Sequence, residues 1–342
     1  MKKGGIIKAV IIILLFAVYR LIFSNDRADL QVMHLTGTTM GPIPYSIKYM
    51  DEDGRDFQIE VDSVLEYFNN SMSTYIPTSE VSRFNKMDFF EYETDLFYPI
   101  LEASQEVFSN SKGAFDPTVG PLVNAWGFGP TKQLDMDSAR VDSIMSIVGF
   151  DKVQFDKSQV TKTKGMYLDF SAIAKGNGID IVADFLRQKG IEDYMVEIGG
   201  EVACKGYSSK DTLWAIGVQR PAMKGGPSEL FAKVWIEDRS IATSGNYRNY
   251  YEKDGKIIAH TINPFDGFTV SHNLLSASVF AENCTLADGY ATACMVLGLE
   301  KSMEMINSID GLDAFFIYSD EDGAYKSWTS DGVKEYIEIV ER

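Results

Sequence analysis

The first pattern along the chain is a single apolar run. Ala9–Tyr19 is almost wholly hydrophobic, follows Lys2, Lys3 and Lys8, and resumes past Arg20 as Leu21-Ile22-Phe23. After a polar spacer the periods shorten to those of a folded body. Gln31–Thr36 and Tyr45–Met50 read as strands around the turn Gly37-Thr-Thr-Met40-Gly41. Phe57, Val61, Val64, Leu65 and Phe68 recur at helical spacing, and so do the inward positions of Tyr98–Ser109. Ser79–Asn85 reads as a helix start, with Arg83 as an ion-pair donor, and Val141–Val148 as a further helix. Gly113–Pro130 is a glycine- and proline-rich loop around one apolar helical turn.

The stretch around which the rest is arranged is Asp169–Glu201, DFSAIAKGNGIDIVADFLRQKGIEDYMVEIGGE. Met166–Asp169 reads as a short buried strand, and Ser171–Gly176 as a small-residue turn opening a helix. Ile179, Val182, Phe185 and Leu186 carry that helix to the basic stop Lys189-Gly190. Tyr194–Ile198 is a second strand, ending on Gly199-Gly200.

Beyond it, Trp214–Gln219 and Lys233–Ile236 are strands separated by the loop Pro221–Ser228. Tyr247–Tyr251 and Lys256–Ile262 form a hairpin, in which alternation places Ile258, His260 and Ile262 on one face. Leu275–Phe280 is a strand. Thr285 is the expected N-cap of a helix running to Leu297, with Gly298 as its stop. Lys301–Ile309 (helix), Asp313–Ser319 and Tyr325–Trp328 (a hairpin about Asp322-Gly323) and Val333–Val340 (strand) finish the chain. This mixture predicts an α+β fold.

Composition narrows the picture. With 342 residues, 45% hydrophobic and 12% aromatic, a large core is available. A net charge of −17 excludes a nucleic-acid partner, which requires a basic footprint. Cys204, Cys284 and Cys294 show no CxxC spacing and read as core residues rather than a disulfide framework. The amino-terminal run is short for a span of about 20 residues unless Lys8 and Arg20 snorkel, yet it suits a secretory apolar region. No A-x-A cleavage site or lipidation cysteine follows. The expectation is an uncleaved signal-anchor over residues 1–23, with a cleaved signal peptide as the alternative. Its flanking lysines place the amino end in the cytoplasm and the body, residues 24–342, outside it.

Several residues carry candidate chemistry, each with a plainer reading beside it. The Ser171–Gly176 turn and the helix it opens suit a phosphate, with Lys175 adding a full charge. The same small residues would also serve close packing, and neither GxGxxG nor GxxxxGK[ST] is present. Tyr75 suits stacking on a planar ring or loop packing; Met40 suits a ligand contact or gap-filling. Asp116 before Pro-Thr is an ordinary turn residue. His260 is a core histidine or a proton carrier. Asp288 and Thr292, four apart on one helix face, suit a hard cation such as Mg²⁺ or merely a solvated surface.

Asp-Phe-Ser-Ala-Ile-Ala-Lys-Gly at 169–176 resembles the DLxxIAKG signature of the ApbE family, the FAD:protein FMN transferases. STYIPTSEVSRFN (73–85), AFDPTVGPLVNAWGFGP (114–130) and the 241–298 segment agree with that family in the same order. The resemblance implies one ApbE-like, T-fold-like catalytic domain with mixed or antiparallel sheets flanked by helices. It implies FAD contacts from Met40, Tyr75, Ala114, Phe115, Asp116, Asp169, Lys175, His260 and Ile262. It further implies Mg²⁺ on Asp288, Thr292 and the Ala172 carbonyl. Asn263 stands where the family usually has Asp, and Ala291 where some members carry a second Asp.

The implied reaction transfers FMN from FAD to a Thr or Ser hydroxyl of a flavoprotein, releasing AMP, with His260 as base or proton shuttle and Asp288 holding the metal. The acceptors it implies are redox-pump subunits or exported flavoproteins with a short Thr/Ser motif. The setting is the extracytoplasmic side of the inner membrane. An Mg²⁺-dependent FAD pyrophosphatase and a non-catalytic FAD-binding protein remain the alternatives.

Overall fold

The computed structural model describes residues 30–129, 133–221, 229–246, 250–253 and 256–340. The expected anchor, residues 1–23, lies outside the described residues, as does part of the expected strand Tyr247–Tyr251. Among the described residues no helix is long and apolar enough to cross a membrane.

Eight strands make one sheet whose spatial order is its chain order. They are β1 (Gln31–Thr39), β2 (Ile43–Asp51), β3 (Tyr194–Ile198), β4 (Glu201–Lys205), β5 (Ser240–Gly245), β6 (Leu274–Ala281), β7 (Asp313–Ser319) and β8 (Tyr325–Thr329). Every neighbouring pair is antiparallel.

Both faces of this sheet are covered, which explains why its central strands are buried on both sides rather than alternating between buried and exposed residues. Strand alternation divides the side chains between two layers. Val196, Ile198 and Ala203 pack with Ile179, Val182 and Leu186 of a helix, α3 below. Met195, Val202 and Cys204 point the other way, onto Trp214, Phe231 and Val234. That second layer is a three-stranded antiparallel sheet of Trp214–Gln219, Leu230–Ile236 and Ile337–Ile339.

The helical layer holds α1 (Gln58–Met72), α2 (Phe97–Asn110), α3 (Ala174–Gln188) and α4 (Cys284–Leu297). The helices α3 and α4 pack on each other, and each caps the other's first turn. The Gly176 N–H on α3 donates to Asp288 Oδ2 of α4 at 3.0 Å. In return the N–H groups of Cys284 and Thr285 donate to the two oxygens of Asp180 on α3, at 2.8 and 2.7 Å. The Thr285 hydroxyl donates to Asp180 as well. Carboxylates at two helix N-termini thus satisfy donors that would otherwise be orphaned, and meet the positive end of each dipole.

Burial outweighs those hydrogen bonds and pushes the Asp180 carboxyl up to about 6. The folded state then holds the Asp180 proton more tightly than the unfolded chain does. Stability from this group is full below about pH 4 and declines as pH rises through 6, by at most ~3 kcal/mol. Urea unfolding of the protein and of Asp180→Asn across that range should show the protein losing stability relative to the variant as pH rises, by up to ~3 kcal/mol. Parallel curves would contradict the assignment.

Three local expectations need correction. Met166–Asp169 is not a strand: Met166 and Leu168 are buried, but their backbone bonds a side chain and a loop instead of a neighbouring strand. Asn283, not Thr285, is the N-cap of α4; its side chain accepts the Leu286 N–H at 2.9 Å, while Thr285 is occupied with Asp180. Val333–Val340 is mostly a 3₁₀ turn, Asp331–Tyr336, that buries only Val333 before the short strand Ile337–Ile339.

Candidate active site

The site is built where the 113–130 loop, the turn before α3 and the middle of α4 meet. Asn85 clamps the segment that leads into the turn. Its amide donates to the Leu168 carbonyl and accepts the Leu168 N–H, both at 2.8 Å. The next N–H, of Asp169, donates to the Pro117 carbonyl at 2.8 Å, which ties the turn to the loop. Asp169 Oδ1 then accepts the Ser171 N–H at 2.9 Å and its hydroxyl at 2.5 Å. An Asp–Ser pair in this geometry reverses the chain and delivers Ala172 and Ile173 to the start of α3.

Asp116 is used differently from Asp169. Both its oxygens are taken inside the fold, Oδ1 by the Thr118 N–H and hydroxyl, and Oδ2 by the Phe150 N–H at 3.1 Å. Burial nevertheless raises its carboxyl above the usual range. It organises the loop wall, the plainer of its two roles. Trp126 also acts in packing, donating from Nε1 to the Gly267 carbonyl at 2.9 Å.

Oxygen donors converge beyond the turn. The Thr292 hydroxyl donates to the Ala172 carbonyl at 3.3 Å and lies 3.5 Å from the Ser244 hydroxyl. Asp288, one turn earlier on α4, is 2% exposed. Its carboxyl is raised by burial, against the pull of Lys175 and the Gly176 N–H. Among the described residues no three His, Cys, Asp or Glu side chains group at metal-binding distance. One carboxylate, one hydroxyl and one carbonyl are hard oxygen donors and an incomplete shell. Such a set fits Mg²⁺, which keeps waters and takes the remaining ligands from a phosphate.

Lys175, the second residue of α3, pairs with Glu201 at the start of β4, Nζ to Oε1 at 2.6 Å. Burial pushes its ammonium down, but Asp288 and Glu201 outweigh that and hold it firmly charged. Glu201 is pushed up to about 7, because burial exceeds the attraction of Lys175 and Asp288 adds repulsion. A fixed cation beside two buried carboxylates at a helix N-terminus is a place for a phosphate oxyanion.

These groups open on a cavity of about 300 Å³. Eleven of the twelve residues named from the sequence line it; Met40 does not. Met40 sits in the β1–β2 turn with φ 49°, and its Cε lies 2.8 Å from where a Cβ on Gly178 would stand, so the thioether fills the space that glycine leaves. Tyr75 is 64% exposed at the rim and has a ring free to stack on a ligand. Ile262 is buried with Leu122 and Val148. His260 follows the strand Lys256–Ala259 rather than standing inside it, half-buried, its ring 6.3 Å from Phe128 in an edge-on arrangement. Asn263 closes a local turn, accepting the Phe265 N–H and donating to Asp266.

Sequence reasoning missed Glu201, Ser244 and Phe128. Glu201 carried one signal: an acidic residue immediately after a glycine pair, opening an otherwise apolar strand. Ser244 and Phe128 carried none beyond their neighbourhoods.

Residues 40–316 match the model of the ApbE family. A Vibrio cholerae serotype O1 protein named FAD:protein FMN transferase is 36% identical over 329 residues, covering 93% of this chain and 96% of its own. A Haemophilus influenzae protein of the same name is 34% identical over 330 residues, covering 92% and 94%. The structure titled flavin transferase ApbE from Vibrio cholerae superposes with a TM-score of 0.81 at 35% identity, over 90% of this chain and 99% of its own.

Proposed function

The chain belongs to the ApbE family, and from that premise we propose that it transfers the FMN part of FAD to a Thr or Ser hydroxyl of a target protein, releasing AMP. The observation that carries this reading is the meeting of Lys175, Asp288, Thr292 and the Ala172 carbonyl at the N-terminus of α3, in one cavity. Flavin transfer at a pyrophosphate is phosphoryl transfer, in which positioning and charge neutralisation do most of the work.

Each role follows from a placement already described. Asp169 and Ser171 hold the turn over which the pyrophosphate of FAD lies. Lys175 meets the charge that grows on the departing AMP. Tyr75 and the wall from Ala114 to Asp116 border the rest of the ligand. Ala172, Asp288 and Thr292 would hold Mg²⁺, which would supply charge neutralisation for the transfer. His260 serves as a proton shuttle on the open side of the cavity. His260→Ala should transfer flavin more slowly at saturating FAD, on the order of 10²-fold. Unchanged turnover would remove that role.

The reading is tested by following AMP with FAD and Mg²⁺ present, with and without a threonine-bearing acceptor domain. AMP that depends on the acceptor supports transfer. Equal AMP without it assigns the site to FAD hydrolysis. Lys2, Lys3 and Lys8 before the apolar run of residues 9–23 support an anchored, extracytoplasmic enzyme. On that basis the acceptors are membrane redox subunits or exported flavoproteins.

A further inference from the structure

Beside the site cavity lies a second chamber of about 270 Å³ that shares Lys175, Ser244 and His260 with it. Much of its wall is backbone: Gly199 and Gly200 on the β3–β4 turn, Gly217, and Gly245 at the end of β5. Glu201 lines it as well and is 2% exposed. Its Oε1 takes Lys175, while Oε2 is buried with no hydrogen-bond partner among the described residues. Gly199, at φ 64°, packs closely on this pair: a Cβ there would stand 2.8 Å from Ile43 Cγ2, 3.4 Å from the Lys175 stem and 3.6 Å from Oε2. A buried acceptor without a donor costs about 1–3 kcal/mol, and one beside a reaction site calls for a donor that arrives with the substrate.

We propose that this glycine-walled chamber receives the hydroxyl side chain of the acceptor protein, and that Glu201 Oε2 accepts its proton. The proposal rests on the flavin-transfer reading. As the acceptor oxygen bonds to the phosphorus on the FMN side, its proton passes to Glu201. The bond from that phosphorus to the bridging oxygen breaks, and AMP departs with the bridging oxygen and the electron pair. Lys175 stands between the two chambers and so touches both the base and the leaving charge. His260, lining both, passes the proton onward. The ionisable groups around Glu201 are Lys175, Asp288, His260 and the buried thiol of Cys284. Burial holds the Glu201 carboxyl above the usual range, which suits it to keep a transferred proton.

The test compares the parent protein with Glu201→Gln and Glu201→Asp, using FAD, Mg²⁺ and a threonine-bearing acceptor domain. The amide oxygen of Gln can still take Lys175, so the pair's shape survives. Expected for Glu201→Gln is a kcat lower by about 10² or more with a KM for FAD within about threefold. Glu201→Asp should recover part of the rate. Glu201→Gln with kcat within about threefold of the parent overturns the proposal. So does a loss matched by weakened FAD binding and a lowered melting point, which would assign Glu201 to holding Lys175. A parent protein that releases AMP but leaves the acceptor unmodified removes the transfer reading itself, and the proposal with it.

Discussion

Asp288→Asn is expected to reduce flavin transfer by about 10²–10³-fold at saturating FAD while the protein stays folded. The two halves of that expectation have separate causes. Asn retains an oxygen that can accept the Gly176 N–H, now bonded to Asp288 Oδ2 at 3.0 Å, so the cap on α3 survives. What is lost is the only carboxylate among the three groups that meet at Thr292 and Ala172. A shell of a hydroxyl, a carbonyl and an amide holds a divalent cation weakly, and Lys175 loses one of its two acidic neighbours. Raising Mg²⁺ should recover part of the activity. Initial rates over a Mg²⁺ series check this, with a melting curve to confirm folding. A rate within about threefold of the parent would show that Asp288 is not a ligand.

The second large effect is on stability and separates two glycines of one helix. A Cβ on Gly176 would stand 2.1 Å from the Cys284 carbonyl oxygen and 2.6 Å from its carbon, both backbone atoms of the neighbouring helix. Neither atom can move without shifting α4 against α3. Gly176→Ala should therefore cost about 3 kcal/mol or more, the upper end of overpacking effects. Gly178, two residues further on, differs in what it faces. There the added methyl would meet Met40 Cε at 2.8 Å, the far end of a flexible side chain. Replacing a helical glycine by alanine also gains roughly 1 kcal/mol in propensity. Gly178→Ala should thus be close to neutral. Thermal unfolding of both variants decides it: similar melting points for the two would contradict the close approach of α3 and α4.

Much of the helical layer could be read in the sequence because its periods are long and uninterrupted. The helix after the small-residue turn, expected from Ile179, Val182 and Leu186, buries those side chains against the sheet. Tyr194–Ile198 and Asp313–Ser319 occur with the bounds expected. The pairing of Arg83 was also legible, with Glu93 as its partner.

The failures have a common source: local pattern does not show what a backbone group will bond. Met166–Asp169 has the apolar content of a strand, but the Asn85 amide and the Pro117 carbonyl take its hydrogen bonds. Thr285 is a good capping residue by type, yet Asn283 lies where the helix begins and Asp180, far away in sequence, engages Thr285. Val333 announced a strand, but it is the one fully buried side chain of the 3₁₀ turn, and Ile337 in the short strand that follows packs half-buried beside the same core.

The site shows the same division. Asp169, Lys175, Asp288 and Thr292 stood out through a motif and a helical spacing. The partner of Lys175 did not, because Glu201 reaches it from a different strand after a turn of two glycines. That a buried oxygen of Glu201 has no donor among the described residues is a three-dimensional fact with no sequence signature.

The measurement that tests the central claim most directly is the intact mass of an acceptor. A threonine-bearing domain from a covalent-FMN protein is incubated with this protein, FAD and Mg²⁺, and AMP is quantified in the same sample. The account predicts an acceptor heavier by one FMN phosphoester, with AMP released in equal amount. FAD bound to the protein while the acceptor mass stays unchanged and no AMP forms would contradict it.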